Sequence, residues 1–176
     1  MRTRPAVLFA FLFAFSGIFA AGSPAAPVPP QIYSAKTVFI SNAGGAIDPY
    51  AGGYGDFSGG PDRAYDEFYD AMKIWPHYTL VSAPADADLV FEISFTEFPL
   101  PGEVSSGGSG TRTADTRFRL VILDPKTHVV LWAFVEYVEP AATQGNRDKN
   151  FDKALGKIVA DIQSLTASAP PAPAKN

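Results

Sequence analysis

The chain has 176 residues, with 14 Lys and Arg against 18 Asp and Glu, a formal net charge of −4 and no cysteine. That balance argues against nucleic acid as a partner, because such binding rests on a basic surface. Without thiols there is no disulfide to hold the fold and no cysteine to carry a lipid, so stability must come from packing.

Arg2 and Arg4 precede the apolar run AVLFAFLFAFSGIFAA, residues 6–21, and the small residues AAGSPAA follow. A basic start, a short apolar stretch and a small-residue exit are the features of a secretory signal peptide. We read it as residues 1–22, with cleavage between Ala20 and Ala26. The run is shorter than the ~20 residues that span a bilayer core. Cleavage would leave a soluble chain with no membrane span, periplasmic or secreted. Residues 23–34, which include SPAAPVPP, read as a Pro/Ala-rich linker, and SAPPAPAKN over 168–176 as a disordered tail. Neither has enough apolar surface to fold alone. Residues 35–167 are one domain's worth of chain.

Within that domain KTVFIS, 36–41, is a β-rich run. The next stretch, 42–61, has seven glycines in twenty residues and reads as a long loop. A helix is expected from Pro61, where a missing N–H costs nothing, with Asp62, Asp66 and Glu67 favouring its positive end. Its buried stripe is Ala64, Tyr65, Phe68, Met72 and Trp75, and Pro76 ends it. HYTLVS, 77–82, is strand-like. In LVFEISFTEF, 89–98, Leu89, Phe91, Ile93 and Phe95 alternate with Val90, Glu92, Ser94 and Thr96, the pattern of a half-buried strand. A second flexible loop covers 99–115. Two further strands, TRFRLVIL and VVLWAFVEYV, flank the turn DPKTH. A helix over 147–165 closes the domain, with Phe151, Leu155, Ile158, Ile162 and Leu165 on one face. Burial of that face, at ~1.5–3 kcal/mol per side chain, outweighs the ~1 kcal/mol cost of Gly156.

The order β-α-β-β-β-β-α describes an α/β (α+β) two-layer sandwich. Its sheet would be mixed and mostly antiparallel, of four to five strands, with two helices on one face.

The turn decides which side chains share a face. Pro125 to His128 reads as a four-residue loop closed by Asp124 and Val129, with His128 where φ is positive. Histidine is among the non-glycine residues that tolerate this conformation, so a turn role is preferred over catalysis. A regular ladder from this loop pairs Arg117 with Glu136, Arg119 with Phe134, Val121 with Trp132 and Leu123 with Val130. Phe118, Leu120 and Ile122 would then lie under the helices, opposite Leu131, Ala133, Val135 and Tyr137. A one-residue slip would instead put Glu136 on the apolar face, at the cost of burying a carboxylate. The regular register leaves Trp132, Phe134, Val121 and Arg119 on the outer face. A patch of that kind marks either a contact surface, where we expect an envelope protein partner, or a face that the N-terminal arm or the glycine-rich loop folds over.

No reading of the residues favours chemistry. His77 and His128 lack acidic partners at ligand spacing, and Asp48, Asp56 and Asp62 do not match a calcium loop. SGGPD before the first helix is a weak anion site. There is no Cys and no G-x-S-x-G elbow. Glu92 with Glu97, or Glu136 with Glu139, would be the available carboxylate pairs. The expectation is therefore no enzyme, no cofactor and no metal. The alternative is a small carbohydrate-active or hydrolytic protein using loop carboxylates, with Tyr50, Tyr54 and Phe57 stacking on sugar.

The ADADLVFEISF strand, the LDPKTHVVLWAF hairpin and the amphipathic closing helix together resemble a group of bacterial envelope α/β domains. The group includes the amino-terminal domain of TolB, the curli secretion lipoprotein CsgG and penicillin-binding-protein activators. The likeness covers residues 35–166 and implies a non-catalytic binding or assembly module of the periplasm. The chain departs from the group in lacking a lipid-anchor cysteine and an accompanying propeller or pore-forming segment.

Overall fold

The computed structural model describes residues 26–45, 57–99 and 114–167. The leader, most of both glycine-rich loops and the tail lie outside them. The elements are α1 (Pro30–Ser34), β1 (Thr37–Asn42), α2 (Arg63–Ile74), β2 (Thr79–Leu80), β3 (Leu89–Pro99), β4 (Ala114–Leu123), β5 (Val130–Tyr137) and α3 (Gln144–Ala167). One 3₁₀ turn, Pro84–Asp86, precedes β3.

The strands form one mixed sheet in the order β2-β1-β3-β4-β5. β1 runs parallel to β2 and β3, and the β3–β4 and β4–β5 pairs are antiparallel. Alternation in β3 sends Leu89, Phe91, Ile93 and Phe95 to the covered face, where Val38, Ile40, Phe118, Leu120 and Ile122 join them. Against this face pack Phe68 and Met72 of α2 and Phe151, Leu155, Ile158, Ile162 and Leu165 of α3. Phe95, Phe118 and Phe151 meet at centroid distances of 4.7–5.1 Å. The two-layer α+β architecture read from the sequence is the one observed.

Some expectations need correcting. The segment read as a linker to residue 34 ends in α1, and Ile32 is fully buried in the core. Pro30 starts this turn with its φ preset. The buried Tyr78 hydroxyl donates to the Ile32 carbonyl at 3.2 Å and ties α1 to the sheet edge. The strand expected over 77–82 shrinks to Thr79–Leu80. Where β1 begins, the Asp88 carboxylate accepts from the backbone N–H groups of Lys36 (2.7 Å) and Thr37 (3.0 Å).

The main correction concerns β5. The four-residue loop forms as expected: Asp124 N–H donates to the Val129 carbonyl at 3.1 Å, and Leu123 pairs with Val130. Immediately afterwards the ladder slips, and Ile122 pairs with Trp132, leaving Leu131 as an extra residue on β5. Such a bulge flips every later side chain to the other face. Trp132, Phe134 and Glu136 therefore share the helix side with Ile122, Leu120 and Phe118, while Ala133, Val135 and Tyr137 face outward. Leu131, Trp132 and Phe134 pack half-buried against the core. The bulge thus gives the helical layer two aromatic rings in place of Ala133 and Val135, a larger apolar area. The carboxylate cost that argued against this register is met at the rim, where Glu136 pairs with Lys157 of α3 at 3.2 Å and stays partly wet.

α2 and α3 are pinned at one end by Arg63, whose side chain is only 11 % exposed. Its guanidinium reaches Glu67 at 2.6 Å, Asp148 at 2.8 Å and Asp152 at 2.5 Å. It also donates to the Ser58 carbonyl at 3.0 Å and lies 4.1 Å from the Phe151 ring centroid. Gly59, at φ 93°, leaves room for this side chain; a Cβ there would sit 2.7 Å from Arg63 Cδ.

Candidate functional site

Register and parity define the outer face of the sheet. One row across the strands is Phe39, Val90, Leu123 and Val130; the next is Ser41, Glu92, Val121 and Ala133. Beyond them lie Ser94, Arg119 and Val135, then Thr96, Arg117 and Tyr137. Of the four contact residues expected from sequence, Arg119 and Val121 are on this face. Trp132 and Phe134 are on the other, for the reason given above. Val121 is 4 % exposed, packed into the sheet surface, whereas Val135 and Tyr137 are 44 % and 59 % exposed.

These exposed residues lie on β5, the last strand of the sheet, whose outer edge pairs with nothing among the described residues. Eight residues long, β5 has no proline and no lysine along its edge; the edge-blunting devices it does carry are the bulge at Leu131 and the inward-facing Glu136. Its only charge, Glu136, is held by Lys157 on the helix side. Beside it on the outer face, Arg119 is exposed and has no carboxylate partner among the described residues. The combination is an open row of backbone donors and acceptors, alternate apolar side chains and a nearby cation.

The question raised by His128 is answered locally. Its φ is 57°, the only positive value at a non-glycine residue among those described. Its N–H donates to the Asp124 carbonyl at 2.9 Å. The Asp124 carboxylate accepts from the N–H groups of Lys126 (2.8 Å) and Thr127 (3.4 Å). The Lys126 bond, opposed by some burial, holds that carboxyl below its usual range. His128 thus has the turn role read from the sequence.

The remaining chemical candidates do not converge. Glu92 is on the outer face and Glu97 is buried on the helix face, so they cannot act as a pair. Glu136 and Glu139 each pair with a separate lysine of α3. Phe57, the one described member of the aromatic set proposed for sugar stacking, packs 5.3 Å from Phe95 and 5.6 Å from Phe151 and belongs to the core. Tyr50, Tyr54, Asp48 and Asp56 lie outside the described residues. His77 stacks on Trp75 at 4.8 Å. No group of three or more His, Cys, Asp or Glu side chains among the described residues is arranged to hold a metal ion. The loop N–H at Ser58, a weak anion site by sequence, is taken by the protein's own Asp148 at 2.9 Å. Sequence reading missed the Arg63 cluster; its one local signal was Glu67 four residues on.

No family model matches the sequence, and no curated protein matches it. Among solved structures the chain is similar to protein XCC0632 from Xanthomonas campestris, at 14 % identity and a TM-score of 0.47, covering 80 % of this chain and 88 % of that one. It is also similar to the PelC dodecamer from Paraburkholderia phytofirmans, at 13 % identity and a TM-score of 0.42, covering 82 % and 94 %. For the LpoB C-terminal domain from Salmonella enterica the values are 13 %, 0.38, 60 % and 83 %. What this chain does is read from its own surfaces. No helix among the described residues is long and apolar enough to cross a membrane.

Proposed function

We propose that this is an exported, non-enzymatic binding module of the bacterial envelope that takes an extended segment of a partner protein along β5. The observation that carries the reading is the open edge of β5, with Val135 and Tyr137 exposed beside Arg119. An added strand would complete the edge hydrogen bonds, and side chains at alternate positions would supply specificity. The contact set is therefore Arg119, Val135 and Tyr137, with Val121 packed into the sheet surface beside them and Trp132 and Phe134 supporting β5 from the helix side. Export rests on the leader read at residues 1–22.

The test is photocrosslinking in envelope extract with a benzophenone side chain at Tyr137, compared with the same group at Lys149 on α3. We expect a discrete adduct from Tyr137 alone, lost when Val135→Lys puts a charge on the edge. Identical adducts from both positions, or an adduct indifferent to Val135→Lys, would reject the reading.

A further inference from the structure

The other end of the outer face is concave. A solvent-facing strand position ordinarily carries a polar residue, yet Phe39, Val90 and Leu123 form a continuous apolar row across β1, β3 and β4. Two turns lie at its margins, one at Pro84 and one at Pro125–His128, and together they border a solvent-open cavity of about 220 Å³. Both walls contain proline, which limits the freedom of the turn to collapse or open. Glu92 lines the cavity and takes part in no ion pair among the described residues. Asp124 and Ser41 also line it. His128, held at a left-handed φ that glycine would adopt more easily, completes the wall. The site thus has an apolar floor, one lining carboxylate with no ion pair among the described residues, and a second carboxylate from the turn.

We infer that this cavity binds a small organic cation, a primary ammonium on an aromatic or branched apolar stem. The stem would lie on Phe39, Val90 and Leu123, and the ammonium would donate to Glu92, with Asp124 adding negative potential. Phe39 supplies a ring for the stem, and a charge-assisted bond to a carboxylate is about twice as strong as a neutral one. A neutral or anionic ligand of the same shape leaves Glu92 without a counter-charge. The cavity is separate from the exposed Val135 and Tyr137, so the inference stands or falls independently of the proposed partner contact.

The probe is 2-phenylethylammonium, titrated into the ¹⁵N-labelled full domain and followed at the amides of Val90, Glu92, Leu123 and His128. The neutral comparison is 2-phenylethanol. We expect saturable shifts confined to these amides with the ammonium and about tenfold weaker binding of the alcohol. Glu92→Gln should weaken the ammonium about tenfold and leave the alcohol unchanged. Ser41→Phe, which fills the cavity beside Glu92 and leaves both carboxylates in the chain, should abolish both; retained spectral dispersion would show that each variant folds. Equal binding of ammonium and alcohol, unchanged affinity in Glu92→Gln, or shifts centred elsewhere would overturn the inference.

Discussion

Trp132 lies directly opposite Ile122 across the β4–β5 ladder and so shares the helix-covered face. One extra residue, Leu131, produces this relationship and thereby decides which side of β5 can meet a partner. A tryptophan facing inward from an edge strand contributes to stability. Trp132→Ser should therefore lower stability by about 2 kcal/mol, less than for a fully buried ring because the site is half-covered. Thermal unfolding should move down by several degrees, while Tyr137→Ser, on the outward side, should leave it within about 0.5 kcal/mol of wild type. Equal losses from both substitutions would place the bulge elsewhere.

His128 occupies a conformation that costs a typical non-glycine residue ~1–2 kcal/mol. Its N–H bond to Asp124 and the two bonds to the Asp124 carboxylate keep the turn closed regardless of the imidazole. His128→Gly should leave the melting temperature unchanged or raise it, by up to about 1 kcal/mol of stability. Asp124→Ala, which removes the acceptor of two loop N–H groups, should lower it.

Arg63 faces three carboxylates while almost fully covered. Arg63→Met removes the counter-charge from all three. We expect a loss of about 2 kcal/mol, allowing for the solvent that reaches Glu67 and Asp152. Arg63→Lys should recover part of this, since a single ammonium cannot bridge three partners as a planar fork does.

The Asp148 carboxyl is pulled from its ordinary 3.8 to about 2, chiefly by the Ser58 N–H, against opposing burial, with help from the Ser58 side chain, Arg63 and Gln144. A depressed folded-state value means that the stabilisation is fully present above the unfolded value and is lost as pH falls through the folded one. Stability of the wild type should therefore decline between about pH 4 and pH 2, and Asp148→Asn should both lower stability at neutral pH and flatten that decline. An acid limb of the same slope in the variant would assign the effect to other carboxylates.

Local patterns were legible in the sequence where a single element determines its own environment. The alternation from Leu89 to Phe95 and the face from Phe151 to Leu165 appear as read, because strand and helix periods alone set them. The turn was legible down to the positive φ of His128, because Asp, Pro and loop length specify it. The bulge was not. It follows from a competition between burying Trp132 and Phe134 and burying a carboxylate, and Lys157, which relieves the carboxylate, is 21 residues away. The Arg63 cluster was hidden for the same reason: Asp148 and Asp152 are 85 and 89 residues away. Ile32 went unread because a lone apolar residue among prolines carries no periodicity.

The outward face of β5 is most directly tested by its side-chain parity, and the absence of native cysteine makes the measurement clean. Single cysteines placed in turn at positions 132 to 137 would be timed against a maleimide on the folded protein. Substitutions of Ala133, Val135 and Tyr137 should react close to the rate of the unfolded chain, and those of Trp132, Phe134 and Glu136 markedly more slowly. Fast reaction at 132 and 134 with protection at 133 and 135 would mean a ladder without the bulge, and would remove Val135 and Tyr137 from the contact surface.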